Sequence, residues 1–479
     1  MSNDPIDGAF DAELFRAQAH AVVDMLADYL ARATNGADMP VLPWTETDAM
    51  LKRWPQTFPD LPAEDLNNLL SRAVEHATHL HHPRYMGHQV PGPLPMAALC
   101  DLVASFLNNG MAVYEMGMQG VAMERALIKW MGGVVGLGPD CDGVLTSGGS
   151  IGNMTAMLAM RRVMLEKFGD VKPAILVSDQ AHYSVKRAVK IMGWGEEAAV
   201  SVPSDDEFRM RPDALPDAMN RAEADGRKAL CVVASACTTA TGTHDRIAPI
   251  ADFCEKHELW LHVDAAHGGP AGLSDKYRHL LEGCGRADSV VFDAHKMMLM
   301  PALVTGVIFR NSEHSFCAFD DRASYLLGSN PQEEWYNLGH RTMECTKRMM
   351  CLKVYAALMC YGTKFFADYV TRQYDLSRTF AQMVRDTPDF DLAIEPDTNI
   401  VCFRYAPKGT ADLEALNAAI RKHIVQSGAF YIVQARLPRG LFLRVTLLNP
   451  LTKEAHLAAL LDCIRAFVPR MNAIVHGVH

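Results

Sequence analysis

The sequence predicts an α/β protein: a mostly parallel central sheet flanked by helices, with an N-terminal helical arm before it and a small C-terminal α+β domain after it. Three observations carry this reading. Between Asp140 and Arg310 short β-branched runs alternate with amphipathic stretches, the pattern of right-handed βαβ units. A segment of helical period and a Pro-bearing connection precede that block, and a second, shorter alternation follows it. The length of 479 residues, 49% hydrophobic and 21% charged, is enough for more than one domain with a large core.

In chain order, Ala12–Arg32 sets Phe15, Val22, Val23, Leu26 and Leu30 at helical spacing, and Asn35-Gly36 followed by Pro43, Pro55, Pro59 and Pro62 marks an extended connection. This is the arm, residues 1–85. Its apolar stripe must be covered, and a partner subunit is one candidate. The strand candidates Ala174–Ser178, Ala229–Ser235, Leu259–Val263, Ser289–Phe292 and Val304–Phe309, with helices such as Ile151–Phe168 and Ile247–His257 between them, form a large domain over residues 86–365. A long helical segment, Glu344–Arg372, leads into a smaller domain over residues 366–479. Its strands are Ile400–Arg404, Ala429–Val433 and Leu441–Leu447, and its helices Asp412–Ser427 and Lys453–Phe467.

Composition removes several classes. With 46 basic and 56 acidic side chains the net charge is −10, which repels a polyanion, so nucleic acid is not expected as a partner. Twelve cysteines without a Cys-x-x-Cys pair argue for free thiols in a reducing compartment. The start of the chain has no basic and apolar leader pattern, and the tract Leu94 to Tyr114 is broken by Asp101, Ser105, Asn108 and Asn109. No membrane span is expected, and the location expected is cytoplasmic.

Three segments could carry chemistry. Thr146-Ser147-Gly148-Gly149-Ser150-Ile151-Gly152-Asn153 follows a short strand candidate and opens a helix, a place where free N–H groups and the positive helix end hold an anion such as phosphate. The same residues match the Gly-x-Ser-x-Gly elbow of α/β-hydrolases, with Ser150 as nucleophile, and that alternative stays open. In Leu259 to Gly269 an apolar strand ends in Asp264, a carboxylate that needs a cation or donors where water is scarce. In Ser289 to Pro301 a strand ends near Lys296, whose apolar surroundings favour the neutral, nucleophilic amine that makes a Schiff base with an aldehyde. Together these are the parts needed for pyridoxal 5′-phosphate: Lys296 for the aldehyde carbon, the Gly-Ser segment for the phosphate, and Asp264 for the protonated ring nitrogen.

The histidines His76, His79, His81 and His82 raise a metal site, but no carboxylate or cysteine set completes it, and no metal is expected.

The stretch His262-Val263-Asp264-Ala265-Ala266-His267-Gly268-Gly269, then Tyr277-Arg278-His279-Leu280-Leu281-Glu282-Gly283, Ala287-Asp288-Ser289 and His295-Lys296-Met297, resembles the group II pyridoxal-phosphate decarboxylases. Further landmarks are His82-Pro83-Arg84-Tyr85, Ser178 to Ser184 and Thr238-Thr239-Ala240-Thr241-Gly242. The family includes glutamate, cysteine sulfinate, 2,4-diaminobutyrate and aromatic amino-acid decarboxylases. The resemblance implies a fold-type I, aspartate aminotransferase-like enzyme that decarboxylates an L-amino acid. It implies that His182 and Ala266 lie on opposite faces of the cofactor ring, and that Gly149, Ser150, Thr239 and His295 surround phosphate and ring. Tyr325 matches a mobile-loop tyrosine that protonates the substrate carbon at the partner's active site, so a homodimer with its active site at the subunit interface is expected. Arg444 matches a position that meets a substrate carboxylate in glutamate-type members. Two departures bear on substrate: His267 stands where relatives carry Tyr or Trp, and Asp293-Ala294-His295-Lys296 where many read Asn-Pro-His-Lys. A pyridoxal-phosphate aminotransferase or oxidative deaminase is the other alternative.

Overall fold

The computed structural model describes residues 5–36, 39–319 and 334–475. It clusters into two compact units: residues 1–88, 385–391 and 403–479 form the first, and residues 89–384 and 392–402 the second. The N-terminal segment and most of the C-terminal one therefore share a unit, where the sequence reading kept them apart.

The second unit is built on a seven-stranded sheet. Its strands are β1 (Asp142–Thr146), β2 (Pro173–Ser178), β3 (Ala199–Val202), β4 (Lys228–Ser235), β5 (Trp260–Asp264), β6 (Ser289–Asp293) and β7 (Thr305–Phe309), in the order β1-β7-β6-β5-β4-β2-β3. Pairings from β3 through β6 are parallel, and β7 runs antiparallel to both β6 and β1. The mostly parallel sheet is as expected. Strands β1, β4 and β6 are buried along nearly their whole length, which is why they read as continuous Val, Ile and Leu runs without alternation. Parallel β4, β5 and β6 end at the same carboxyl edge, where Ser235 lies opposite Asp264 and Asp293 lies two residues beyond Val291, the partner of Asp264.

As an edge strand, β1 needs partners for its outer backbone groups. The Leu145 N–H donates to Glu124 Oε1 at 2.9 Å, Lys347 Nζ donates to the Leu145 carbonyl at 2.7 Å, and Arg341 donates to the Gly143 carbonyl at 2.9 Å. Lys347 also pairs with Glu124, and Arg341 with Asp142 at 3.1 Å. These contacts correct one expectation. The helical segment read as Glu344–Arg372 begins at Cys351 and reaches Arg385 with a break at Gly362, where φ is +76°, because residues 341–350 form turns and bends that bring two buried cations to β1.

The first unit contains the Ala12–Asn35 helix, capped by Asp11 and ended by Gly36, and most of a four-stranded sheet. That sheet comprises β8 (Phe390–Leu392), β9 (Ile400–Tyr405), β10 (Val433–Leu437) and β11 (Gly440–Thr446) in the order β10-β11-β9-β8. The strand expected at Ala429–Val433 starts only at Val433, since Tyr431 instead pairs with the His82-Pro83-Arg84-Tyr85 landmark: its N–H donates to the Arg84 carbonyl and its ring stacks on Tyr85 at 5.1 Å. His82 accepts the Arg84 N–H at 3.0 Å through Nδ1, and among the described residues no group of three or more potential metal ligands occurs. No described helix is long and apolar enough to cross a membrane.

Three groups buried in the second unit make stability depend on pH. Burial lowers His262 and His244 to about 4, and burial raises Asp245 to about 6 despite N–H donors from Met210 and Ser235. Between pH 6 and 4 unfolding lets both histidines take up a proton, whereas the folded state already holds the proton of Asp245. Two protons against one leave the unfolded chain favoured as pH falls. Urea midpoints measured from pH 6 to pH 4 should therefore drop, at about 1.4 kcal/mol per pH unit from these groups.

Candidate active site

The carboxyl edge of the large sheet opens on a cavity of about 300 Å³. Its lining includes Lys296, Asp264, His182, Gly149, Ser150, Thr239, Ala266, His267 and His295, all in the second unit. Arg444 lies in the first unit on β11, only 7% exposed, donating to Thr446 Oγ1 at 3.2 Å, and is not part of this lining. Tyr325 lies outside the described residues.

Each position has a local cause. β1 ends at Thr146, and Gly148 then turns the chain with φ +109°, a region that L side chains avoid, to start the Gly149–Phe168 helix. That helix carries no side-chain cap, so its first N–H groups face the cavity as an anion cradle. β5 ends at Asp264, and the turn beyond it needs Gly268, where a Cβ would stand 2.4 Å from the Ala236 carbonyl oxygen. His182 caps the Tyr183–Ile191 helix: its Nδ1 accepts the Ser184 N–H at 3.3 Å and contacts Ser184 Oγ at 2.8 Å. His295 Nδ1 lies 3.0 Å from the Val304 carbonyl and accepts the Val304 N–H at 3.2 Å. His267 Nε2 meets Asn399 Oδ1 at 2.8 Å.

The electrostatics of Lys296 reverse one expectation. Burial does pull its pKa down, but Asp293, then Asp264, outweigh it and hold the ammonium above the ordinary lysine range. Asp293 lies 3.0 Å from Lys296 Nζ, is 1% exposed, and also accepts Thr305 Oγ1–H at 2.5 Å. For Asp293 too burial opposes the charge, yet Lys296 and His295 keep its pKa below the usual range. The cavity thus holds a paired ammonium where the sequence suggested a neutral amine.

The carboxylate of Asp264 receives the Asn153 amide at 2.8 Å on Oδ2 and the Ala266 N–H at 3.2 Å on Oδ1. Asn153 was not singled out in the sequence. It stands four residues after Gly149 on the same helix face, a spacing that marked it as a neighbour of the cradle. Asp293 was seen as a departure near the substrate, whereas its closest charged partner is Lys296. No hydrogen bond joins Ser150 to a histidine among the described residues, so the hydrolase alternative has no support here.

The model of the pyridoxal-dependent decarboxylase conserved domain matches residues 46–406, three quarters of the sequence. The chain belongs to this family. These enzymes are pyridoxal-phosphate-dependent carboxy-lyases, and the cofactor is pyridoxal 5′-phosphate. Among relatives, the aromatic-L-amino-acid decarboxylase of Bacillus atrophaeus is 27% identical over 470 residues, covering 96% of this chain and 97% of that one. The cysteine sulfinic acid decarboxylase of Rattus norvegicus is 28% identical over 468 residues, with 92% and 93% covered. The crystal structure of mouse CSAD superposes with a TM-score of 0.87 at 26% identity, covering 95% of this chain and 98% of that chain. Oryza sativa TDC with PLP and tryptamine, at 21% identity and a TM-score of 0.89, shares the fold.

The decarboxylase cofactor fits the residues present. A capless helix start is suited to its phosphate, a doubly anchored carboxylate to a protonated ring nitrogen, and a lysine amine in the same wall to its aldehyde. Asp293 is the exception, because a Cβ on Gly149 would stand 3.2 Å from its Oδ2, so it brings negative charge close to the cradle. Replacing Asp293 by Asn should lower the Lys296 pKa and so speed cofactor uptake by stripped enzyme near neutral pH, roughly tenfold for each unit lost. Stopped-flow absorbance across pH 6 to 10 checks this; a rate profile superimposable on that of the unaltered enzyme contradicts it.

Proposed function

We propose that this decarboxylase removes the α-carboxylate of an acidic L-amino acid, such as aspartate, glutamate or cysteine sulfinate, to give the corresponding amine and carbon dioxide. The observation that carries the substrate class is Arg444, a guanidinium kept almost wholly from water on β11 at the position where resemblance implies a contact to a substrate carboxylate. A buried cation of this kind favours an anionic ligand. Relatives named cysteine sulfinic acid decarboxylase and acidic amino acid decarboxylase support the same class.

Bound pyridoxal phosphate supplies an electron sink for the carbanion left when carbon dioxide departs. The remaining work falls to the chain. The N–H groups at the start of the Gly149–Phe168 helix, with Ser150 and Thr239, hold the phosphate against the helix dipole. Asp264, oriented by Asn153 and Ala266, keeps a proton on the ring nitrogen. Lys296, in the cavity wall, would hold the cofactor through its aldehyde. His182 and Ala266 bound the cofactor ring, His295 and His267 close its surroundings, and Tyr325, assigned by resemblance alone, returns a proton to the substrate carbon.

The working state is a homodimer with its active site at the subunit interface. The Pro95–Leu107 helix supports this, because Leu99, Leu102, Val103, Phe106 and Leu107 leave one long apolar face open, an area that a second copy would cover. A cytoplasmic location accords with the twelve free cysteines.

A screen of the amino acids for carbon dioxide release with product identification should show an acidic substrate turned over preferentially. Arg444→Met should cut kcat/KM for that substrate by about 10- to 100-fold, the worth of one charge-assisted contact, while leaving the bound cofactor in place. Preference for an aromatic or diamino acid, or an unchanged kcat/KM in the variant, would reject the substrate class. Lys296→Ala should abolish the yellow colour of the enzyme and lower turnover by at least about 10²-fold.

A further inference from the structure

Behind the cavity wall, Trp260, Ser289, His262 and Ser184 are buried groups that the reaction described above does not use. We infer that Asn153 is a positioning residue joining Asp264 to His182 through a hydrogen-bonded chain of fixed direction, and that this chain places the His182 ring proton on Nε2.

The direction follows from groups that can play only one role. The Trp260 indole is a donor only, and its Nε1–H goes to Ser289 Oγ at 2.9 Å. The Ser289 hydroxyl lies 2.8 Å from His262 Nδ1, with its own proton available for that nitrogen. Burial lowers His262 to about 4, so the ring is neutral. With the Asn153 nitrogen turned to the Asp264 carboxylate, Asn153 Oδ1 faces His262 Nε2 at 3.0 Å and accepts the ring's single proton, which leaves Nδ1 to accept from Ser289. Both hydrogens of Asn153 Nδ2 are consequently committed, one to Asp264 Oδ2 at 2.8 Å and one to Ser184 Oγ at 2.8 Å. The Ser184 hydroxyl proton is left to point at His182 Nδ1 at 2.8 Å, where the Ser184 backbone N–H also donates at 3.3 Å.

Both ends favour the same polarity. The Asp264 carboxylate accepts the Asn153 amide, which turns the amide nitrogen toward it. A backbone N–H can only donate, so the Ser184 N–H favours the same acceptor role for His182 Nδ1, although at 3.3 Å it is the longer contact and does not secure that role without the hydroxyl at 2.8 Å. His262 and Ser289 are 0% exposed, Asn153 1%, and Ser184 and Trp260 2%, which leaves water no means of reversing a link. With Nδ1 occupied by two donors, a neutral His182 presents Nε2–H to whatever the cavity binds. Burial lowers its pKa against the pull of Asp264, which keeps the ring neutral. A group bearing acceptor oxygens therefore meets a donor at this wall, and the same amide that sets the donor also steadies Asp264.

The test reads the protons directly and does not depend on which amino acid is the substrate. Full-length enzyme labelled with nitrogen-15 in histidine, loaded with cofactor and again stripped of it, is examined by two-bond nitrogen–proton correlation. The His182 signals are assigned by their loss in His182→Gln. The expected result is one His182 species protonated on Nε2. In Asn153→Ala the Ser184 hydroxyl loses its donor and is free to turn, and a second His182 species protonated on Nδ1 should appear. Ser289→Ala, which leaves the contacts of Asn153 to Asp264 and Ser184 untouched, should produce the same second species more weakly, and Ser289→Thr should remove it. A proton on Nδ1 in the unaltered enzyme overturns the inference, as do unchanged His182 signals in both alanine variants. Should Asn153→Ala fail to fold, the serine pair decides.

Discussion

An ammonium held among carboxylates is the constraint on which the rest of the site depends. Lys296 has a side chain about one-fifth exposed, and Asp293, 3.0 Å from it, is almost wholly enclosed. Charges in such a place are stable only if each has a partner and every remaining oxygen has a donor. Thr305 and Lys296 satisfy Asp293, while Asn153 and the Ala266 N–H satisfy Asp264. These donors come from a helix start, a strand and two turns, and all of them must be correctly placed before the lysine can be.

The sheet makes that placement possible. Because β4, β5 and β6 run parallel, their last residues arrive on one edge. Strand β7 is antiparallel and delivers Thr305 to Asp293 from the opposite direction. Edge strand β1, which carries the cradle at its end, is held by Glu124, Arg341 and Lys347. Buried ion pairs of this kind add little net stability, but losing one partner leaves a charge without compensation, so they enforce a single arrangement.

The same scaffold serves relatives named for aromatic, sulfinic and diamino substrates at 26–28% identity. What they share is the chemistry of cofactor binding, and that is where the buried carboxylates and the Gly-rich turn of this chain lie. Selection among amino acids must come from residues outside that set. A global charge of −10 says nothing about it, since a distant surface charge is screened within about a Debye length.

Much of this was legible in the sequence, for a physical reason in each case. Fully buried parallel strands show as apolar runs, so β2, β4, β5, β6 and β7 were located within a residue or so, and a strand-end Asp and Lys with a Gly-Ser turn suffice to suggest the cofactor. Even the second line of groups left a trace: His262 and Asp264 are two apart on β5 and so point the same way, and Ser289 is the cross-strand neighbour of His262. Other features depended on distance between segments far apart in sequence. That Asp293 and Asp264 reverse the charge state expected of Lys296, that residues 344–350 form bends and a turn rather than a helix, and that one amide touches both Asp264 and Ser184 follow from tertiary proximity alone. Periodicity reports which face of an element avoids water. Only the folded chain decides which charges and donors meet in the space that those faces enclose.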